Sequence, residues 1–76
     1  METLDQRYFN LLGSLMYLNY YFLLEKNGVS HLGEITFYGS YFKHIPAFAE
    51  DCKEIPYDKI VNIRVDASTA TIVIKD

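Results

Sequence analysis

The sequence predicts an α+β domain in which one long N-terminal amphipathic helix packs on a small antiparallel sheet of three or four strands. Seven of the eight leucines precede Gly28, and Val, Ile and Thr are absent from Leu4 to Gly28 but frequent after it. Unbranched side chains keep rotamer freedom in helices, whereas β-branched side chains favour strands. A length of 76 residues is that of one domain, so residues 1–76 are assigned to a single unit.

The helix is predicted over residues 3–27, because both ends carry helix signals. Thr3 and Gln6 have the spacing of a capping box, and Asn27-Gly28 is typical of a C-terminal stop. At about 100° per residue, the apolar side chains cover nearly half of the helix surface, which is more than one small sheet can bury. We therefore expect a homodimer, formed through the helix or by strand addition at an open sheet edge.

Asn19 falls within the apolar half of this predicted helix, close to Leu15 and Phe22. One interpretation is a core amide that is hydrogen-bonded to sheet backbone. The other is a buried polar residue that sets the register between paired helices, as a single Asn does in coiled coils.

The β-rich part is predicted over residues 33–75. Residues 35–38 and 41–45 flank Gly39-Ser40, which favours a type II′ hairpin, with a continuous strand bulged at Gly39 as the alternative. A short helix starting at Pro46 and ending at Cys52 is expected next. A second hairpin turns at residues 66–68, and alternation predicts these inward side chains: Val61, Ile63, Val65, Ala70, Ile72 and Ile74.

One short motif of the sequence resembles strand segments of known domains. The run Ile55–Ile60 (IPYDKI), within the hydrophobic pattern of residues 33–74, is similar to strand stretches of bacterial pleckstrin-homology-like and GRAM-type domains. Those domains are longer and usually end in a helix, whereas this chain begins with one. The likeness assigns no family to the chain.

Composition and motifs argue against several classes of function. Ten acidic residues against seven basic ones, a net charge of −3, disfavour a general polyanion binder. A single cysteine, Cys52, rules out an internal disulfide, and His31 and His44 lack zinc-motif spacing. The sequence has neither a phosphate-binding loop nor a nucleophile elbow. We therefore predict no metal and no cofactor.

The residues from Tyr8 to Leu24 carry no charge, and their number approaches the lower limit for a membrane span. Asn10, Asn19 and four tyrosines interrupt this stretch, and the polar residues lie mostly on one side. An amphipathic helix of a soluble, cytoplasmic protein is therefore predicted.

The function predicted from the sequence is that of a small, acidic, non-enzymatic protein-binding module. It would act as an inhibitor, adaptor or regulator of a larger protein, for example a phage or mobile-element inhibitor of a nucleic-acid-handling complex. Tyrosines are common interface anchors, and carboxylates steer association with a basic partner surface. The predicted partner-binding residues are Tyr17, Tyr20, Tyr21, Glu50, Asp51, Glu54 and Asp58.

Two alternatives belong to other functional classes. A nucleic-acid-associated regulator would use the outer face of the sheet, with Arg64, Lys75 and Tyr41. A small enzyme subunit would need His44 and Cys52 to meet carboxylates of a partner chain across a dimer interface.

Overall fold

A computed structural model describes residues 3–47 and 51–75 of the chain. The α+β class with an N-terminal helix packed on small sheets is confirmed. The elements are helix α1 (Leu4–Tyr17), strands β1 (Tyr21–Lys26), β2 (Val29–His31), β3 (Gly33–Phe37), β4 (Tyr41–Pro46) and β5 (Lys53–Pro56), a 3-10 helix (Tyr57–Lys59), and strands β6 (Ile60–Asp66) and β7 (Thr69–Ile74).

The strands form two sheets. One has four strands in the order β2-β1-β7-β6, and the other has three strands in the order β3-β4-β5. Every neighbouring pair is antiparallel except β1 and β7, which run parallel from Tyr21↔Thr69 to Lys26↔Ile74. The larger sheet is therefore mixed. The parallel pair was not expected, because residues 21–26 were assigned to the helix.

The predicted helical boundary at residue 27 is wrong, because α1 ends at Tyr17. Asn19 has a φ of 64°, which is the left-handed region that Asn tolerates better than most residues. Its N–H donates to the Met16 carbonyl at 3.0 Å, and the Tyr20 N–H donates to the Leu15 carbonyl at 3.0 Å. These two bonds form a Schellman motif, so Asn19 terminates the helix.

Asn27 and Gly28 form the turn of a hairpin instead of a helix stop. Their φ angles are 54° and 77°, and the flanking residues Lys26 and Val29 are paired across β1 and β2. Two successive positive φ angles are characteristic of a type I′ turn, for which Asn-Gly is the preferred sequence. The chain thus turns back immediately after β1.

The N-terminal helix signal is confirmed. The Gln6 N–H donates to the Thr3 hydroxyl at 3.1 Å, and the Thr3 N–H donates to the Gln6 side-chain oxygen at 3.0 Å. Both bonds of the capping box are present, so the first turn of α1 is held by its own side chains.

A chain of aromatic rings connects the helix to both sheets. The Phe22 and Phe37 rings meet edge to face with centroids 5.0 Å apart, and Phe37 lies 6.1 Å from Phe42. Phe42 lies 6.1 Å from Tyr57, and Tyr57 lies 6.2 Å from Tyr8 of α1. The buried residues of this core are Leu12, Leu24, Phe42, Ile55, Tyr57, Ile60, Ile72 and Ile74.

The two hairpins predicted in the β-rich part are present. Gly39-Ser40 joins β3 to β4, and the Tyr38 N–H donates to the Tyr41 carbonyl at 2.9 Å, so the bulged-strand alternative is wrong. The turn is not type II′, because Gly28 is the one glycine with positive φ in the described part of the chain.

The second hairpin joins β6 to β7 through Ala67-Ser68, and Ala70, Ile72 and Ile74 are buried as predicted. Val61 is 57% exposed, because a bulge between Ile60 and Asn62 shifts the register of β6. Ile60 takes the inward position instead. Val65, which was also predicted to face inward, is 49% exposed.

The short helix expected after residue 45 does not begin at Pro46, which is the last residue of β4. Residues 48–50 of that prediction lie outside the described residues. Asp51 and Cys52 have no regular secondary structure.

Candidate functional site

Six exposed large apolar side chains lie on α1 and its C-terminal cap. Leu12 is fully buried and Leu15 is buried beside it, whereas apolar side chains on both sides of this buried strip face solvent. Leu11, which directly precedes Leu12, is 47% exposed. We define the helix face by its exposed apolar residues: Leu4, Phe9, Leu11, Met16, Tyr17 and Leu18.

A shallow depression lies at Gly13 on the helix face. Its walls include Phe9, Tyr17 and Leu18. A Cβ atom added at Gly13 would meet nothing within 4 Å, and the Ser14 hydroxyl donates to the Asn10 carbonyl at 2.8 Å. The depression is therefore open and has no side chain of its own to fill it, so a side chain of another molecule has room to enter.

The helix face is uncharged beyond the first turn of α1. From Tyr8 to Leu18 the sequence contains no Asp, Glu, Lys or Arg, and the charged residues of α1, Asp5 and Arg7, lie in its first turn. Contact with another apolar surface over this stretch would therefore bury no ion, which avoids the cost of desolvating a charge.

The structure separates the three predicted binding tyrosines. Tyr17 is the last residue of α1 and is 86% exposed, so it belongs to the helix face. Tyr21 begins β1, where its N–H donates to the Ser68 carbonyl at 2.7 Å, and Tyr20 is half-buried in the connection. A helix over residues 3–27 would place Tyr17 and Tyr21 one turn apart, but α1 ends between them.

The predicted register group Asn19, Leu15 and Phe22 is also separated. Leu15 is buried on α1, Phe22 packs against Phe37 from β1, and Asn19 is exposed in the turn between them. Both interpretations of Asn19 are wrong, since its role in the structure is to end the helix.

The acidic residues that the structure describes lie in three different kinds of local structure. Glu50 is outside the described residues, Asp51 is in an irregular segment, and Glu54 lies on β5. Asp58 is in the 3-10 helix. The three that the structure describes are exposed, so they remain candidates for contact with a basic partner.

Neither catalysis nor metal binding gains support from clustered side chains. Cys52 is exposed, and His44 is buried with a pKa lowered by burial and by the charges of His31 and Lys53. Within residues 3–47 and 51–75, no group of three or more His, Cys, Asp or Glu side chains is arranged to hold a metal ion. Over the same residues, no helix combines the length and apolar character needed to cross a membrane.

The groups proposed for nucleic-acid contact interact with neighbours in the chain. Arg64 on β6 forms an ion pair with Glu25 on β1, on the outer surface of the mixed sheet. The Tyr41 ring stacks on the Tyr38 ring with centroids 4.9 Å apart. Arg64 and Tyr41 therefore offer less to a polyanion than their sequence positions suggest.

Comparison with known proteins gives no match among family models, curated proteins or solved structures. Function is therefore inferred from the residues of this chain, and the helix face is the surface that bears on it most directly.

Proposed function

We propose that this protein is a non-enzymatic protein-binding module that regulates another protein, as an inhibitor or adaptor, and that it forms a homodimer through the helix face. The observation that carries the proposal is the exposed, uncharged apolar surface on both sides of the buried strip of α1. Exposed apolar patches mark interaction sites in soluble proteins.

Electrostatics favour a second copy of this chain as the occupant of the helix face. Two copies that each carry a net charge of −3 repel one another over most of their surfaces. The stretch from Tyr8 to Leu18 has no charge, so two of these faces meet without opposing like charges. A two-fold contact also places each Gly13 depression opposite the same apolar side chains of its mate.

The acidic residues suit a different partner. Asp51, Glu54 and Asp58 are exposed and lie outside α1, so a dimer formed through the helix face leaves them accessible. Carboxylates at the rim of an interface accelerate association with a basic surface more than they add affinity. The regulated protein is accordingly proposed to present basic residues to this segment.

Light scattering coupled to gel filtration tests the dimer. The wild-type protein is expected to elute as a dimer at micromolar concentration, and the double variant Leu11→Gln/Leu18→Gln as a folded monomer. Val61→Gln is the matched control, because Val61 is also an exposed apolar residue but lies on edge strand β6. A monomeric wild type, or a dimer lost only in Val61→Gln, would overturn the assignment to α1.

Affinity capture from the native host, followed by mass spectrometry, tests the acidic contact. A specific interactor should be lost with Asp51→Asn/Glu54→Gln/Asp58→Asn and retained with Glu34→Gln, which neutralises an exposed carboxylate on β3. An interactor that binds all three proteins equally would contradict a role for this segment.

A further inference from the structure

A second concave surface lies between the two sheets, away from α1. It is a cavity of about 320 Å³, a volume within the range of small-molecule sites. Its apolar part consists of the buried side chains Leu24, Ile55 and Ile74, together with Pro46 and Pro56. The cavity therefore gives solvent access to part of the hydrophobic core.

The rim of this cavity has a charge opposite to that of the protein. Four of the seven basic residues in the sequence line it, against one of the ten acidic residues, Glu54. Two histidines lie beside them. The six basic or imidazole side chains are Lys26, Lys53, Lys59, Lys75, His31 and His44.

Backbone pairing fixes several of these groups. The Lys75 N–H donates to the Lys59 carbonyl at 3.0 Å, which holds the two residues side by side at the end of β7. His44 and Lys53 are directly opposite each other on β4 and β5, so they share one face of the three-stranded sheet. The positive rim thus follows from the strand registers as well as from mobile lysine side chains.

His44 contributes a buried imidazole to the lining. The residue is 2% exposed, and its Nε2 is buried without a hydrogen-bond partner. Burial and the charges of His31 and Lys53 lower the pKa of His44.

We propose that this cavity binds a small organic anion, a carboxylate that carries an aliphatic chain. The ammonium groups of Lys59 and Lys75 pair with the carboxylate, and the aliphatic chain contacts Leu24, Ile55 and Ile74. Apart from the two imidazoles, the described lining residues include no aromatic ring on which a nucleotide base would stack, and no Arg for bidentate phosphate recognition.

The test uses octanoate as the probe and amide chemical shifts as the readout. Titration of the full chain should shift the amides of the cavity residues saturably, and octyltrimethylammonium should not. Shortening the probe from octanoate should weaken binding by about fourfold for each methylene group removed from apolar contact. Inorganic phosphate at the same concentration should shift these amides much less.

Charge-neutralising variants locate the site. Lys59→Gln/Lys75→Gln should weaken octanoate binding at least about tenfold, because charge-assisted hydrogen bonds to the carboxylate are lost. Lys43→Gln is the matched control: Lys43 lies next to His44 on β4 but does not line the cavity, and its ammonium lies 5.6 Å from the Tyr38 ring centroid. Thermal unfolding of the free variants verifies that they are folded.

Several outcomes would overturn the proposal. Equal binding of octyltrimethylammonium would show that the positive rim does not select an anion. Equal amide shifts with phosphate would show that Leu24, Ile55 and Ile74 contribute nothing to binding. Shifts confined to Phe9, Tyr17 and Leu18 would place octanoate on the helix face instead. The absence of any saturable shift would leave the cavity without this ligand class.

Discussion

The helix face and the lysine-rimmed cavity differ in shape, charge and origin. The first is a mostly convex, uncharged surface supplied by one continuous segment, α1 and its C-terminal cap. The second is concave and positive, and its residues come from both sheets and from the 3-10 helix. One is suited to another protein surface and the other to a small anion.

The net charge of the chain does not describe the charge of either surface. The chain carries −3, but the stretch from Tyr8 to Leu18 contains no Asp, Glu, Lys or Arg, and the cavity rim contains one carboxylate, from Glu54. Most of the acidic excess therefore lies elsewhere on the surface. Arguments from net charge apply to solubility and long-range repulsion, whereas local recognition depends on which elements bring charges together.

The largest expected effect is on stability, and it differs between a buried and an exposed residue of α1. Leu12→Ala should lower the free energy of unfolding by about 2–5 kcal/mol, because it leaves a cavity in the core. Leu11→Ala, one residue earlier and half exposed, should change it by less than about 0.5 kcal/mol while weakening self-association. Urea unfolding of both variants at low protein concentration measures the difference. Similar destabilisation by the two would mean that the helix face is part of the monomer core.

Removing the helix cap tests whether the two surfaces are independent. Thr3→Ala should cost about 1 kcal/mol of stability, because the Gln6 N–H loses its acceptor. Octanoate affinity should not change, since the cavity is lined by residues outside α1. Parallel loss of octanoate binding in the folded variant would show that the two regions are coupled.

Gly13→Ala should affect stability and association in opposite directions. Ala is favoured over Gly within a helix, and the added Cβ has free space, so the monomer should gain about 0.5–1 kcal/mol. The same methyl group partly fills the depression and should weaken the dimer. Gly39→Ala, in a turn with no atom within 4 Å of the added Cβ, is the control that leaves association unchanged. Tighter association of Gly13→Ala would contradict the predicted packing.

The loss of stability caused by buried His44 should be smallest at neutral pH and should grow on acidification. Its pKa is lowered in the folded state by burial and by His31 and Lys53, so the unfolded state binds the proton more readily. Stability should therefore fall as the pH drops below about 6.5, and the fall should end below the folded-state pKa. Urea unfolding between about pH 7.5 and 5.5 measures it. His44→Leu should flatten the profile, and His31→Gln should retain part of the slope.

The sequence allowed prediction of features that depend on neighbouring residues. The capping box needs only Thr3 and Gln6, and the alternation of residues 69–74 is enough to place β7 with its buried face. The excess apolar width of the helix was also predictable, although the helix proved shorter. The type I′ turn at Asn27-Gly28 had a strong local signal, which the leucine content of the preceding residues outweighed.

Features that depend on distant residues were not predictable in this way. Leu23 and Leu24 are as acceptable in a helix as in a strand, and β1 forms because β7 pairs with it from the far end of the chain. The cavity has the same origin, since its lysines are scattered in sequence and meet only after the sheets form. Long-range strand pairing therefore explains why the predicted helix extended too far, to residue 27, and why the cavity was not predicted.

The position of β7 has a consequence for synthesis of the protein. It is an inner strand of the mixed sheet, between β1 and β6, although it is the last strand along the described chain. During translation β1 must wait for residues 69–74 to leave the ribosome before its parallel partner exists. A nascent or truncated chain that lacks them exposes Leu24 and Ile60 beside unpaired strand edges, which makes the incomplete polypeptide prone to aggregate or to be degraded.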